Sequence, residues 1–157
     1  MASNNGAVVA IVMGSKSDES AAVECGKYLD YFGIPYKTFV LSAHRTPKET
    51  AQLAENAEAD GFKIIIAIAG MAAHLPGVIA AHTRLPVIGV PMPGSHLNGV
   101  DALYSIVQMP KGVPVATVAI GSAGAGNAAI LSAQILALSE PRLKEKLSEF
   151  KGQGCKI

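Results

Sequence analysis

The sequence has no tryptophan, few aromatic residues and few charged ones. Aromatic side chains make up 5% and charged side chains 16% of the 157 residues, whereas roughly a quarter of an ordinary soluble domain is charged. The shortage of aromatic rings disfavours a recognition surface built on large side chains. Because a monomer normally carries a well-charged surface, the shortage of charge predicts that part of this surface is buried between subunits.

An excess of one sign of charge and a cysteine cluster are also absent. The net charge is +1 with dispersed lysines and arginines, so no basic stripe is available for a nucleic-acid polymer, although a single nucleotide remains a possible ligand. Cys25 and Cys155 lie far apart and have no metal-ligand spacing. They indicate reduced thiols of a cytoplasmic protein, without an assigned role.

No stretch has the pattern of a membrane span or a secretory signal. Residues 1–6 have no basic region, and the apolar run 7–13 is too short for either. We therefore expect a cytoplasmic protein without membrane contact, in which residues 1–6 form a flexible N-terminus. The length of 157 residues fits a single domain.

Five apolar runs of strand length alternate with segments of helical spacing. The predicted strands are 7–13, 36–41, 63–68, 86–90 and 115–120, and the predicted helices are 18–32, 47–59, 76–82, 101–108 and 124–138. Continuous apolar runs are typical of parallel strands covered on both faces. The sequence thus predicts an α/β, flavodoxin-like three-layer sandwich with a parallel, doubly wound sheet. An eight-fold barrel is excluded because it needs roughly 200 or more residues.

An extra C-terminal helix follows this repeat. The break at Ser139, Glu140 and Pro141 precedes an amphipathic segment, 142–150, so that 139–157 is interpreted as a C-terminal helix and tail. No strand follows this helix. Docking on a neighbouring subunit and docking on its own domain both fit the pattern.

The most informative stretch is the turn 42–47, which joins the second strand to the second helix. His44 suits proton transfer near neutral pH, and Arg45 suits bidentate binding of phosphate. Thr46 is the predicted N-cap, with Glu49 as its capping-box partner. Because the turns at the carboxyl ends of parallel strands bind ligands, we interpret His44 and Arg45 as functional residues rather than a capping histidine and a surface ion pair.

Two other turns should meet the first at the same sheet edge. In 14–18, Ser15 is either a donor to phosphate or an ordinary turn residue, and Asp18 either binds ribose hydroxyls or caps its helix. In 69–77, His74 lies in a loop of small residues that could approach a planar ring; alternatively, it satisfies a backbone carbonyl.

The glycine-rich segment 121–126 follows a strand and opens a helix, as a dinucleotide-binding turn does. The second βαβ half and the acidic residue of that fingerprint are missing, so we interpret it as a tight turn for close packing, with a minor role in shaping the pocket. The sequence also has no P-loop lysine motif, metal triad or Ser-His-Asp order.

Four motifs together resemble the PurE family, and most closely its class I members, the 5-(carboxyamino)imidazole ribonucleotide mutases of purine biosynthesis. They are GSKSD (14–18), SAHRTP (42–47), AAHLPG (72–77) and the run from Gly99 to Gly121. The resemblance covers nearly the whole chain as one PurE-like domain, 1–157. Met71 departs from it, since many members have glycine there, and 92–98 matches less well.

This resemblance implies a flavodoxin-like subunit of a homo-octamer, with active sites at subunit junctions and the terminal helix reaching a neighbour. It implies a small ribonucleotide substrate and no metal, ATP or organic cofactor. His44 would be the general acid and base. The ribose phosphate would be bound by Ser15, Asp18, Ser42 and Arg45. The imidazole or its carboxylate would be surrounded by Gly70, Ala72, His74 and Leu75.

The implied reaction moves a carboxyl group from the exocyclic nitrogen to ring carbon 4, by decarboxylation and recarboxylation. One alternative is the class II activity, carboxylation of aminoimidazole ribonucleotide by free carbon dioxide. Another is a non-catalytic flavodoxin-like nucleotide-binding module, since fold alone does not set function. The absence of tryptophan for flavin stacking and of a phosphoacceptor aspartate after the third strand disfavours that module.

Overall fold

The sheet of this protein is five-stranded and parallel. The computed structural model describes residues 6–157, so that most of the expected flexible segment, 1–6, lies outside the described residues. The strands run β2-β1-β3-β4-β5, an order found in flavodoxin-like folds. The predicted fold class is confirmed. The strands are β1 (Val9–Met13), β2 (Tyr36–Val40), β3 (Ile64–Gly70), β4 (Val87–Met92) and β5 (Ala116–Thr117).

Helices cover both faces of the sheet, because alternate residues of the apolar strands point to opposite sides. In β3, Ile64, Ile66 and Ile68 belong to one core cluster, and Ile65 and Ala67 belong to the other. α1, α5 and α6 cover the first face, and α2, α3 and α4 cover the second. The helices are α1 (Glu19–Phe32), α2 (Pro47–Asn56), α3 (Leu75–His82), α4 (Val100–Val107), α5 (Ser122–Leu136) and α6 (Pro141–Gly152).

The fifth strand is much shorter than predicted. Only Ala116 and Thr117 pair with β4 in the parallel register, although the apolar run extends to residue 120. Further along, Gly121 N–H donates to Pro91 O at 2.8 Å, but Pro91 itself has no N–H to give in return. A proline inside β4 therefore shortens the regular ladder at this edge.

The C-terminal helix docks on its own domain. Leu143 and Phe150 are buried, and the Phe150 ring lies 5.4 Å from the ring of Phe32, between centroids. Arg142 Nη1 donates to Phe32 O at 3.2 Å, at the end of α1. These side chains anchor the helix within its own chain.

Glycines mark the places where backbone approaches closely. A Cβ at Gly124 would collide with the carbonyl of Ala119, and one at Gly126 would lie 3.0 Å from the Tyr28 ring. The interpretation of this segment as a tight, closely packed turn is thus correct. Gly33 ends α1 with φ 63°, the conformation of a left-handed cap. Along residues 6–157, no helix is both long and apolar enough to cross a membrane.

Candidate active site

Four turns converge on one cavity at the carboxyl edge of the sheet. Its volume is about 810 Å³, and the turns that line it follow β1, β2, β3 and β4. The expectation that the three sequence motifs meet at one edge is confirmed. Every candidate residue lines the cavity: Ser15, Asp18, Ser42, His44, Arg45, Gly70, Ala72, His74 and Leu75.

Thr46 closes the turn after β2 through hydrogen bonds with a residue earlier in the chain. Thr46 Oγ1 accepts a hydrogen bond from Ser42 N–H at 2.8 Å and donates to Ser42 O at 3.1 Å. The Thr46 N–H also donates to Ser42 O, so the predicted capping box with Glu49 is wrong, although Thr46 does occupy the N-cap position of α2. The hydroxyl closes the turn that presents His44 and Arg45 instead of capping the helix.

His44 and His74 form a direct pair. His44 Nε2 lies 2.6 Å from His74 Nδ1, and the rings meet edge to face with centroids 4.8 Å apart. Such a hydrogen bond requires a proton on one of these nitrogens and a lone pair on the other. The partner of His74 is therefore a second imidazole rather than a backbone carbonyl, and a proton on one ring is within reach of the other.

Arg45 bridges the first two turns. Its Nη2 donates to Gly14 O at 3.1 Å, and its Nε donates to Ser42 Oγ at 3.4 Å. Among the ion pairs of the described residues, none involves Arg45, which rules against the surface ion pair as its role. The neutral partners orient the guanidinium and leave its charge available to an anionic ligand.

Asp18 occupies the N-cap position of α1, but its side chain makes no capping hydrogen bond. The residue is only 8% exposed. Burial raises the pKa of Asp18, and hydrogen bonds with the Ser15 backbone and the Ser17 side chain oppose that rise. A buried carboxylate that does not cap its helix favours a role toward a ligand.

The turn after β3 contains a strained residue. Met71 has φ 56°, a left-handed conformation that costs about 1–2 kcal/mol for a residue with a Cβ. Two tight turns follow it, in which Ala73 N–H donates to Met71 O at 2.9 Å and His74 N–H donates to Ala72 O at 2.7 Å. They bring His74 to the start of α3.

The fourth turn of the cavity was not predicted from the sequence. Met92, Pro93 and Gly94 also line the cavity, but the weak motif match of 92–98 gave no reason to include them. Their position directly after β4, a neighbour of β3, was a usable signal because parallel strands end at the same edge. Gly121 is not part of the cavity lining, but it packs close to Pro93, since a Cβ at Gly121 would lie 3.5 Å from Pro93 Cδ.

The cavity combines three kinds of surface. Arg45 and the neighbouring serine hydroxyls suit an anion, the two histidines suit proton transfer, and the wall of Ala69, Ala72, Ala73 and Leu75 is small and apolar. Among the described residues, no group of three His, Cys, Asp or Glu side chains could hold a metal ion. The arrangement can bind a phosphorylated molecule and move protons on the part that lies against the apolar wall.

Comparison with known proteins points in the same direction. The sequence profile of a family described as AIR carboxylase matches residues 8–156, which include every turn of the cavity. The chain is 57% identical to the N5-carboxyaminoimidazole ribonucleotide mutase of Haemophilus influenzae, covering 92% of this chain and 88% of that protein. It is 58% identical to the mutase of the same name from Pseudomonas aeruginosa, covering 92% and 89%.

The fold is similar to that of a solved relative. The crystal structure of PurE from Treponema denticola superposes with a TM-score of 0.85 and 31% sequence identity, covering 94% of this chain and 90% of that one. The likeness extends over the whole sandwich rather than a part of it.

Proposed function

The chain belongs to the AIR carboxylase family, and we propose that it is an N5-carboxyaminoimidazole ribonucleotide mutase of purine biosynthesis. The enzyme is an isomerase that forms 4-carboxy-5-aminoimidazole ribonucleotide. Relatives of that name are more than half identical to it. Within the structure, the observation that carries the proposal is that the His44–His74 pair shares one cavity with Arg45.

The phosphate end of the substrate binds at the first two turns. Arg45 supplies the charge, and Ser15 and Ser42 supply hydroxyl groups beside it. The guanidinium is already held by Gly14 O and Ser42 Oγ, so little side-chain entropy is lost when phosphate arrives. Asp18 accepts hydrogen bonds from the ribose hydroxyls, which offsets the cost of its burial.

The imidazole end lies against the third turn. Gly70 and Ala72 offer a wall without bulky side chains, and Leu75, which is buried, closes its base. A Cβ at Gly70 would come within 3.3 Å of Met92 O, so the wall is tightly packed from behind. A planar ring can therefore lie close to the backbone, with its carboxylate toward His74.

His44 serves as general acid and then as general base. It gives a proton to the exocyclic nitrogen while the bond between that nitrogen and the carboxyl carbon breaks, and carbon dioxide is released. Ring carbon 4 then attacks the carbon dioxide, and the proton of that carbon returns to His44. The proton is conserved over the cycle, and confinement in the cavity supplies the proximity that dissolved carbon dioxide lacks. No step requires a metal, ATP or organic cofactor.

We further propose that the protein works as a homo-octamer in the cytoplasm, where a phosphorylated, membrane-impermeant substrate is retained. An apolar surface along and before α4 supports self-association: Leu97, Val100, Tyr104 and Val107 are between 43% and 63% exposed. Such a patch is unusual on a monomer. Light scattering should give the mass of eight chains, and Tyr104→Asp should reduce it; a wild-type monomer would contradict the octamer.

One assay separates the mutase from its alternatives. Purified protein is mixed with N5-carboxyaminoimidazole ribonucleotide, without ATP or added bicarbonate, and the carbon-4 carboxylate is followed by ultraviolet absorbance. Rapid product formation is expected. Product only from aminoimidazole ribonucleotide plus bicarbonate would instead establish the class II carboxylase, and product from neither would favour a non-catalytic nucleotide-binding module.

A further inference from the structure

Met71 holds a conformation that its side chain does not favour. Its φ of 56° lies in the left-handed region, which glycine adopts freely and which asparagine or aspartate can offset by local hydrogen bonds. A methionine side chain has no group that offers such an offset. The position is therefore occupied by a residue that the backbone disfavours.

Packing does not explain the methionine either. Met71 is 63% exposed and belongs to neither core cluster. A large apolar side chain in this state gains little from burial and leaves apolar surface in water. Glycine would suit the fold better at this position, and a strained residue that the fold does not require points to a role in the site.

The residue lies where such a side chain can act. It lines the cavity, together with the apolar wall formed by residues on either side of it in the chain. The tight turns at Ala73 and His74 keep the loop short, so that only two residues lie between Met71 and the histidine that pairs with His44. Met71 is therefore both exposed and part of the cavity lining, in the loop that leads to His74.

We propose that Met71 is a positioning residue that covers the reacting end of the cavity and retains carbon dioxide between decarboxylation and recarboxylation. This inference rests on the proposed function. After the bond from the exocyclic nitrogen to the carboxyl carbon breaks, the neutral carbon dioxide must stay until ring carbon 4 attacks it. A flexible, polarizable and apolar cover suits that task, since methionine adapts to irregular surfaces and excludes water.

The test measures leakage rather than activity alone. The substrate carries carbon-13 in its carboxyl group, and the reaction runs in unlabelled bicarbonate. Two quantities are read: the label retained in the product and the free aminoimidazole ribonucleotide released per product formed. Wild type and Met71→Leu, which keeps an apolar side chain of similar length, should retain the label. Met71→Gly and Met71→Ala should lose it and raise the released fraction severalfold.

The two small substitutions control for folding. Met71→Gly suits the backbone and should leave the thermal unfolding temperature unchanged or higher, whereas Met71→Ala keeps the unfavourable conformation without the side chain. Loss of labelled carbon dioxide from both variants would show that the methionine side chain, and not the backbone conformation, retains it. Leakage equal to that of wild type in both variants would overturn the proposal.

Other outcomes are equally decisive. Dissociation of Met71→Gly into smaller assemblies without added leakage would make Met71 a subunit contact and would also overturn the proposal. If wild type formed no product from the labelled substrate, the proposed function itself would have failed, which is a different result from a variant that turns over without leaking.

Discussion

The imidazoles of His44 and His74 are hydrogen-bonded to each other, with 2.6 Å between Nε2 of the first and Nδ1 of the second. This contact couples the two rings, because one of the facing nitrogens must carry a proton and the other must offer a lone pair. His74 can thus hold the His44 ring in one orientation. The two residues are separated by 30 positions in the chain.

We expect His74→Ala to reduce kcat by up to about a hundredfold, because the loss of this partner lets the His44 ring turn away from its productive orientation. KM should change less than kcat. His74→Asn can still hydrogen-bond and should keep more activity than the alanine variant. Steady-state kinetics of both variants check this; equal losses in the two would contradict an orienting role.

Arg45→Ala should weaken substrate binding while leaving the protein folded. Loss of a charge-assisted contact to phosphate should raise KM by roughly tenfold to a hundredfold. Arg84→Ala is the matched control, since Arg84 pairs with Glu58 on the surface and does not line the cavity. Steady-state kinetics of both variants test this prediction. An unchanged KM in Arg45→Ala would contradict the proposal that Arg45 binds the substrate phosphate.

Asp18→Asn should make the protein more stable and less active. Burial raises the pKa of Asp18 above its ordinary value of 3.8, so the folded state binds the proton more tightly than the unfolded state. The wild-type protein therefore loses stability as the pH rises from the ordinary pKa of the carboxyl group to its raised pKa in the folded state, and the loss is complete above the latter. At neutral pH the variant avoids that loss of stability. Below the ordinary pKa of 3.8, the wild-type carboxyl group is protonated and the two proteins should be equally stable.

Thermal unfolding of both proteins at neutral and at acidic pH tests the Asp18 prediction. Activity at neutral pH should fall roughly tenfold to a hundredfold, since an amide is a weaker acceptor for ribose hydroxyls than a carboxylate. A variant less stable than wild type at neutral pH would show that the carboxylate stabilises the fold and would contradict the account.

The two thiols should differ sharply in reactivity. Cys25 is fully buried, and burial raises its pKa to about 12, so the reactive thiolate is scarce at neutral pH. Cys155 is exposed. A thiol reagent should label one cysteine in the native protein and both after denaturation; rapid labelling of Cys25 in the native state would contradict the burial of α1.

The architecture was predictable because it depends on patterns that the chain repeats. Apolar runs such as that of β3 have few alternatives to a buried parallel strand, and the turns after parallel strands must meet at one edge. The predictions that were wrong concern features that depend on single contacts. The truncation of β5 depends on a proline in the neighbouring strand. The Thr46 hydroxyl donates to the carbonyl of Ser42, four residues earlier, and does not form the predicted capping box.

The candidate site was predictable in its membership but not in its internal contacts. Motifs placed His44 and His74 in separate turns, and the sheet brings those turns together. The hydrogen bond between the rings depends on side-chain torsions and on the tight turns of 71–74. The spacing of residues in the sequence predicts neither of these. Similarly, the amphipathic pattern of α6 did not predict its docking on its own domain, which depends on side-chain packing such as that of Phe150 against α1.

The most direct test of the central claim compares wild type with His44→Asn in one assay. Both proteins receive N5-carboxyaminoimidazole ribonucleotide without bicarbonate, and substrate binding to each is measured by calorimetry. We expect wild type to form the carbon-4 carboxylate and the variant to bind the substrate with similar affinity while its turnover falls by at least about a hundredfold. Substantial turnover by the variant would contradict the account, because the proton would then have to move through another group.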